Sequence, residues 1–123
     1  MQTPSKTDDS SHSKSHLQFL NLLKAVRSLP EFPDLDLREE QLLNLLAMTW
    51  HANEQITVLE AMSISADMSN STAHRRLKSL RVKGVIALVS DELDTRIKYV
   101  MPTKKARQYF AQIGRCMEEA KRS

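Results

Sequence analysis

Glycine occurs only twice in the 123 residues, proline four times, and aromatic residues make up 5%. A β-sandwich or barrel needs a turn every few residues, so this scarcity of turn-formers argues for a mostly helical chain. One cysteine, Cys116, excludes an internal disulfide. The longest apolar run, residues 85–89, is far too short to cross a bilayer, and the opening MQTPSKTDDS lacks the apolar core of a signal peptide. We therefore expect a soluble, cytoplasmic protein in a reducing compartment, with enough chain for one domain and an appendage.

Catalytic signatures are also missing. There is no Gly-rich phosphate loop, no metal-type Cys/His cluster and no Gly-x-Ser-x-Gly elbow. The acid pairs Glu39/Glu40 and Glu118/Glu119 fall on expected helices, where neighbours diverge by about 100° and cannot share a substrate. His12 and His16 stand at helical spacing, but no Cys or acidic ligand accompanies them in an expected fold, and they read as part of a polar tail. No enzyme, no metal and no cofactor is expected.

What the chain does have is charge unevenly laid out. The total is +3, yet residues 69–107 hold Lys or Arg at 75, 76, 78, 81, 83, 96, 98, 104, 105 and 107 against acids only at 91, 92 and 94, a local +7 that leaves −4 elsewhere. An asymmetry of this size points to a polyanionic partner.

Residues 1–16 are almost entirely polar and cannot repay the entropy of ordering, so they read as a disordered tail; residues 17–123 read as one domain. Phe19, Leu20, Leu23, Val26 and Leu29 recur at the spacing of an amphipathic helix, which Pro30 and Pro33 interrupt. Residues 17–35 are thus a helix and linker. Asp36 with Glu39 opens a second helix, through about Ala52, bearing Leu42, Leu43, Leu45, Leu46 and Trp50. A Trp on so leucine-rich a helix reads as core rather than as the lining of an effector pocket beside His51.

Thr57 and Glu60 have capping-box spacing, starting a short helix to about Ser65, with Asp67 suited to a tight turn. Ser69 then caps a helix over 70–83, stopped by Gly84. Beyond it the period changes to two: Ile86 and Leu88, then Ile97, Tyr99 and Met101, separated by the polar SDELDT, describe a two-stranded hairpin. Thr103 begins a last helix, 103–121, with Tyr109, Ile113 and Met117 on its apolar stripe. The fold class is mostly α with a small β-hairpin.

On the 70–83 helix, Ala73, Leu77 and Leu80 share one narrow sector and must face the core. Ser71, His74, Arg75 and Lys78 lie opposite, with Arg76 and Arg81 on the flanks. A basic helix just over three turns long, capped by hydroxyls, fits the major groove of DNA, where Arg or Lys addresses guanine and flanking cations meet phosphate. Its amino-terminal amides favour phosphate too. Arg96 near the hairpin tip suits an adjacent minor groove. Double-stranded DNA is the expected partner, with RNA disfavoured because A-form grooves exclude such a helix.

The stretch from Thr57 through Thr103 resembles the winged-helix core of the MarR family of bacterial transcriptional regulators. The likeness is carried by Ser69 and Thr72 opening the helix, RRLKSLRVKGVI closing it, and DTRIKYVMPTKKA at 94–106, which is similar to that family's Asp-x-Arg wing and following strand. It implies Arg96 as the wing arginine and Asp94 as its partner; together with the helical reading above, this gives an expected core at 36–102 with a wing at 90–96 and DNA contacts at Ser69, Ser71, Thr72, His74, Arg75, Arg76, Lys78, Arg81, Arg96 and Lys98. It also implies a homodimer joined through terminal helices, here through Phe19, Leu20, Leu23, Val26, Tyr109, Ile113 and Met117. The chain departs from the family in having one helix after the wing where two are common, and Asp67 where Gly is common. A small-molecule effector is left open.

One other use of the fold is a protein-interaction module without sequence-specific DNA binding, but such a module has no need of outward cations at Arg75 and Lys78. Cys116 without a resolving partner reads as a small apolar residue at a helix interface rather than a redox sensor.

Overall fold

The computed structural model describes residues 6–29, 33–64 and 68–122. Among these residues, five helices and a hairpin follow in the order α1 (Lys6–Arg27), α2 (Leu37–His51), α3 (Val58–Ser63), α4 (Asn70–Val82), β1 (Ile86–Ser90), β2 (Lys98–Pro102) and α5 (Lys104–Arg122). The expected interhelical turn at Asp67, the expected helix end at Ser65 and the break at Pro30 lie outside the described residues. No helix among those described is long and apolar enough to cross a membrane.

The chain divides into two compact units, one holding α1 and α5 from Tyr109 onward, the other running from Pro33 to Gln108. The start of the chain differs from expectation. Residues 6–16 continue α1 rather than lying disordered. Once the apolar segment from Leu17 has formed a turn, each further residue adds a backbone hydrogen bond at little cost, so helix propagates into polar sequence. Ser15 Oγ also donates to Ser11 O at 3.3 Å on this exposed stretch.

In the α1/α5 unit, Leu17, Phe19, Leu20 and Met117 stay exposed, whereas Val26 and Tyr109 are buried within the chain. The Tyr109 and Phe110 rings lie 5.8 Å apart, tilted at 45°. A cleft between the two helices is lined by Leu22, Ala25, Cys116 and Ala120 among others, with Cys116 half-buried there.

The larger unit is built on local signals that hold. Asp36 accepts from the Glu39 amide at 2.8 Å while Glu39 Oε1 accepts from the Asp36 amide at 3.0 Å, closing a capping box on α2. Thr57 and Glu60 close a second one on α3 at 3.1 Å each way. Ser69 caps α4 through the Thr72 amide. Each box satisfies amides that a helix start leaves without partners. Asn53 adopts φ 61° just after α2, a conformation that Asn tolerates better than most residues. Gly84, at φ 80°, ends α4 where a side chain would be strained.

Leu42, Leu43 and Leu46 of α2 meet Ala61, Ala73, Leu77, Leu80, Val85, Ile86, Val100 and Ala106 in the core, all nearly or fully inaccessible. Each fully buried leucine stabilises the unit by about 2 kcal/mol. The hairpin pairs antiparallel from Ile86↔Pro102 to Ser90↔Lys98. On β2 Val100 is the buried residue, with Tyr99 and Met101 half-buried and Ile97, just before the strand, exposed. The reason is tertiary: the Val100 amide donates to Ile56 O at 2.8 Å and its carbonyl accepts from Trp50 Nε1 at 3.0 Å, so the segment before α3, joined to β2 by a single bridge at Thr57 and Tyr99, sets which side faces in. Thr103 joins the hairpin to α5, donating to Gly84 O at 2.6 Å and accepting from the Ala106 amide.

Candidate nucleic-acid interface

Helix α4 carries no acidic residue, and its faces separate by burial. Ala73, Leu77 and Leu80 are buried, while Ser71, His74, Arg75, Lys78 and Arg81 are exposed. A polar face on a helix this well anchored is held in place by the core behind it. At its start, Ser69 Oγ lies 3.2 Å from Ser71 Oγ and donates to Thr72 Oγ1 at 3.0 Å, gathering three hydroxyls on the first turn; Thr72 is half-buried.

Two basic residues of this segment turn inward. Arg76 Nη1 pairs with Asp36 Oδ2, the oxygen that the capping box leaves over, so Arg76, expected on a flank as a phosphate contact, is already engaged within the chain. The reason is its position one residue before buried Leu77, on the side of α4 that meets the start of α2. Lys83 Nζ reaches Glu39 Oε1 at 2.9 Å and also donates to Asp34 O. Glu39 is 2% exposed, and Ser79 donates to its second oxygen at 2.6 Å. Burial pushes this carboxyl up, but the Ser79 hydroxyl, the Asp36 amide and the Lys83 ammonium outweigh it and bring the pKa down to about 2.

This clamp between α2 and α4 is a positioning feature that motif reading missed. Its signal was present: Glu39 shares the helical phase of Leu42, Leu43 and Leu46, an acid set in an apolar stripe. The outward cations of α4 are therefore Arg75, Lys78 and Arg81.

The wing is a loop closed by its own hydrogen bonds. Asp91 Oδ2 accepts the Leu93 and Asp94 amides at 3.0 Å each, and its Oδ1 accepts the Tyr99 hydroxyl at 3.0 Å. The Leu93 and Asp94 amides hold the Asp91 carboxyl below the usual range. Asp94 grips Arg96 with both oxygens, at 3.0 Å to Nε and 3.1 Å to Nη2. That hydrogen-bonded pairing lowers the Asp94 pKa and raises that of Arg96. The Arg96 side chain remains 89% exposed, oriented but available. Lys98 is exposed at the base of the wing, opposite Ser90.

Between α3, α4 and β1 lies a groove of about 260 Å³, floored by Val58, Leu77 and Leu88 and rimmed by His74, Lys78 and Arg81. Helix α4 and strand β1 thus meet directly. Among the described residues no group of three His, Cys, Asp or Glu could hold a metal ion.

Of the residues expected to join two copies, Phe19, Leu20 and Met117 are exposed and Leu23 and Ile113 half-buried. Val26 and Tyr109 are corrections to that set, since apolar surface already covered within the chain is not available to a partner.

Two helices joined across residues 65–67, the second basic outward, followed by a hairpin with a tethered arginine, define a winged helix-turn-helix. No family model matches the chain. It is 32% identical over 85 residues to an uncharacterised HTH-type transcriptional regulator, YybA, of Bacillus subtilis (strain 168); the match takes in 69% of this chain and 55% of that protein, little more than half its length. Among solved structures, a variant of MepR from a multidrug-resistant S. aureus clinical isolate superimposes with a TM-score of 0.68 at 15% identity, over 98% of this chain and 81% of that one. A MarR-like transcriptional regulator from Thermotoga maritima gives 0.63 at 17% identity, over 98% and 80%. The chain has the winged-helix fold of the MarR-like regulators.

Proposed function

We propose that this protein is a cytoplasmic, DNA-binding transcriptional regulator that acts as a two-fold homodimer, with α4 in the major groove and the wing beside the minor groove. The observation that carries the reading is the sorting of α4: Ser71, His74, Arg75, Lys78 and Arg81 outward, Ala73, Leu77 and Leu80 inward, with no acid among them. A free basic helix backed by a core is a groove reader by shape and charge together. Arg96, tethered by Asp94 and otherwise exposed, supplies the one oriented cation of the wing, which suits a narrow negative groove. The exposed Phe19, Leu20 and Met117 supply an apolar surface for a second copy, and a two-fold pair would meet half-sites about one DNA turn apart. The similarity to an HTH-type transcriptional regulator supports the same reading.

Selecting bound sequences from a random duplex pool tests all of this at once. Enrichment of a paired, inverted site with salt-sensitive affinity is the expected result. Failure to enrich any sequence, with binding insensitive to salt, refutes it and leaves the protein-interaction use of the fold.

A further inference from the structure

The two faces of the hairpin differ. Leu88 and Val100, paired across the strands, belong to the inward side with Ile86, whereas Val89 is 50% exposed and Ile97 40%. This outward apolar strip leads toward the wing tip. At the tip stands Leu93, 97% exposed.

A single exposed leucine on a floppy loop calls for no explanation. Leu93 differs because its backbone is held: its amide is bound by Asp91, Asp91 is bound in turn by Tyr99, and the loop is closed by Asp91 N to Ile97 O at 2.9 Å and Ile97 N to Asp94 O at 3.0 Å. Much of the ordering cost of a contact made by this side chain is met before binding. Two of the acids around it are also engaged, Asp94 by Arg96 and Asp91 by two amides and a hydroxyl.

We propose that Leu93 is a second DNA contact of the wing, an apolar probe that enters the minor groove with Arg96 and packs on the deoxyribose walls. The inference rests on the DNA-binding reading above. A minor groove about 6 Å wide admits a branched aliphatic side chain, and apolar wedges at such sites are an established means of gripping or unstacking DNA. Arg96 supplies attraction and Leu93 supplies contact area, a division that a loop with acids at 91, 92 and 94 requires because it cannot act as a broad cationic clamp.

The test compares wild type, Leu93→Ser and Leu93→Met on a selected operator, and on the same operator trimmed to remove the flanks the wings would meet. On the full duplex Leu93→Ser should bind about tenfold more weakly, with Leu93→Met close to wild type. On the trimmed duplex all three should bind alike. The salt slope should not change with Leu93→Ser, because no phosphate contact is lost. Equal binding of wild type and Leu93→Ser to the full duplex overturns the proposal, as does an equal loss on both duplexes. Wild type that binds no duplex overturns the DNA-binding reading itself.

Discussion

Replacing Glu39 by glutamine probes the clamp between α2 and α4 without changing its shape. In the wild type, the carboxylate accepts from Ser79 at 2.6 Å, Lys83 at 2.9 Å and the Asp36 amide at 3.0 Å while 2% exposed. The neutral amide keeps at most part of this set and leaves Lys83 without its anion. Lys83 is 32% exposed, so water recovers some of that loss, and the expected destabilisation at pH 7 is about 2 to 3 kcal/mol. The pKa points to a similar size. A carboxyl brought from 4.5 to about 2 on folding contributes about 3 kcal/mol.

The sign of the pH effect follows. A depressed pKa gives stability that is fully present above the ordinary value of 4.5 and is lost as pH falls toward 2. The variant has no such group, so its deficit should be largest at pH 7 and shrink by pH 3. Urea unfolding followed by Trp50 fluorescence reports on this unit directly, because Trp50 is the only tryptophan and donates to Val100 O within it. A shift of about 1 to 2 M in the midpoint at pH 7, narrowing at pH 3, is expected. An equal shift at both pH values would refute the assignment of the stabilisation to an ionised Glu39.

The cations of the recognition segment should divide by their orientation. Arg75→Ala and Lys78→Ala should each relax sequence preference about tenfold or more, and Arg81→Ala should flatten the salt slope by about one. Arg76→Ala should leave that slope nearly unchanged, because its guanidinium is already engaged by Asp36; identical salt slopes for Arg76→Ala and Arg81→Ala would show this orientation to be wrong. Arg96→Ala should weaken binding most at operators with A·T-rich flanks, with Asp94→Ala milder because it removes a repulsive charge along with the tether. Binding titrations at matched salt check both. If the protein pairs as proposed, replacing Phe19 and Leu20 together by serine should leave it monomeric in sedimentation without lowering helix content, since both side chains are exposed.

Much of the winged-helix core was legible in sequence because its determinants act over three or four residues. The capping boxes at Asp36/Glu39 and Thr57/Glu60, the cap at Ser69, the stop at Gly84 and the pairing of Asp94 with Arg96 need only local backbone geometry, and all five stand in the structure. The inward stripe Ala73, Leu77, Leu80 was legible for a related reason, since helical periodicity places it before any partner is known.

Tertiary structure decided what depends on distant partners. Arg76 and Lys83 look like any other cations of a basic run until α2, some 40 residues earlier, presents Asp36 and Glu39 to them. The inward phase of β2 was settled by Ile56 and Trp50, whose hydrogen bonds select Val100 over its neighbours. Whether an apolar residue of a terminal helix is free for a second copy, as Phe19 is, or already covered, as Val26 and Tyr109 are, depends on how the helices of one chain fold on each other. Periodicity determines which residues share a stripe, and only packing determines which part of that stripe the chain itself uses up.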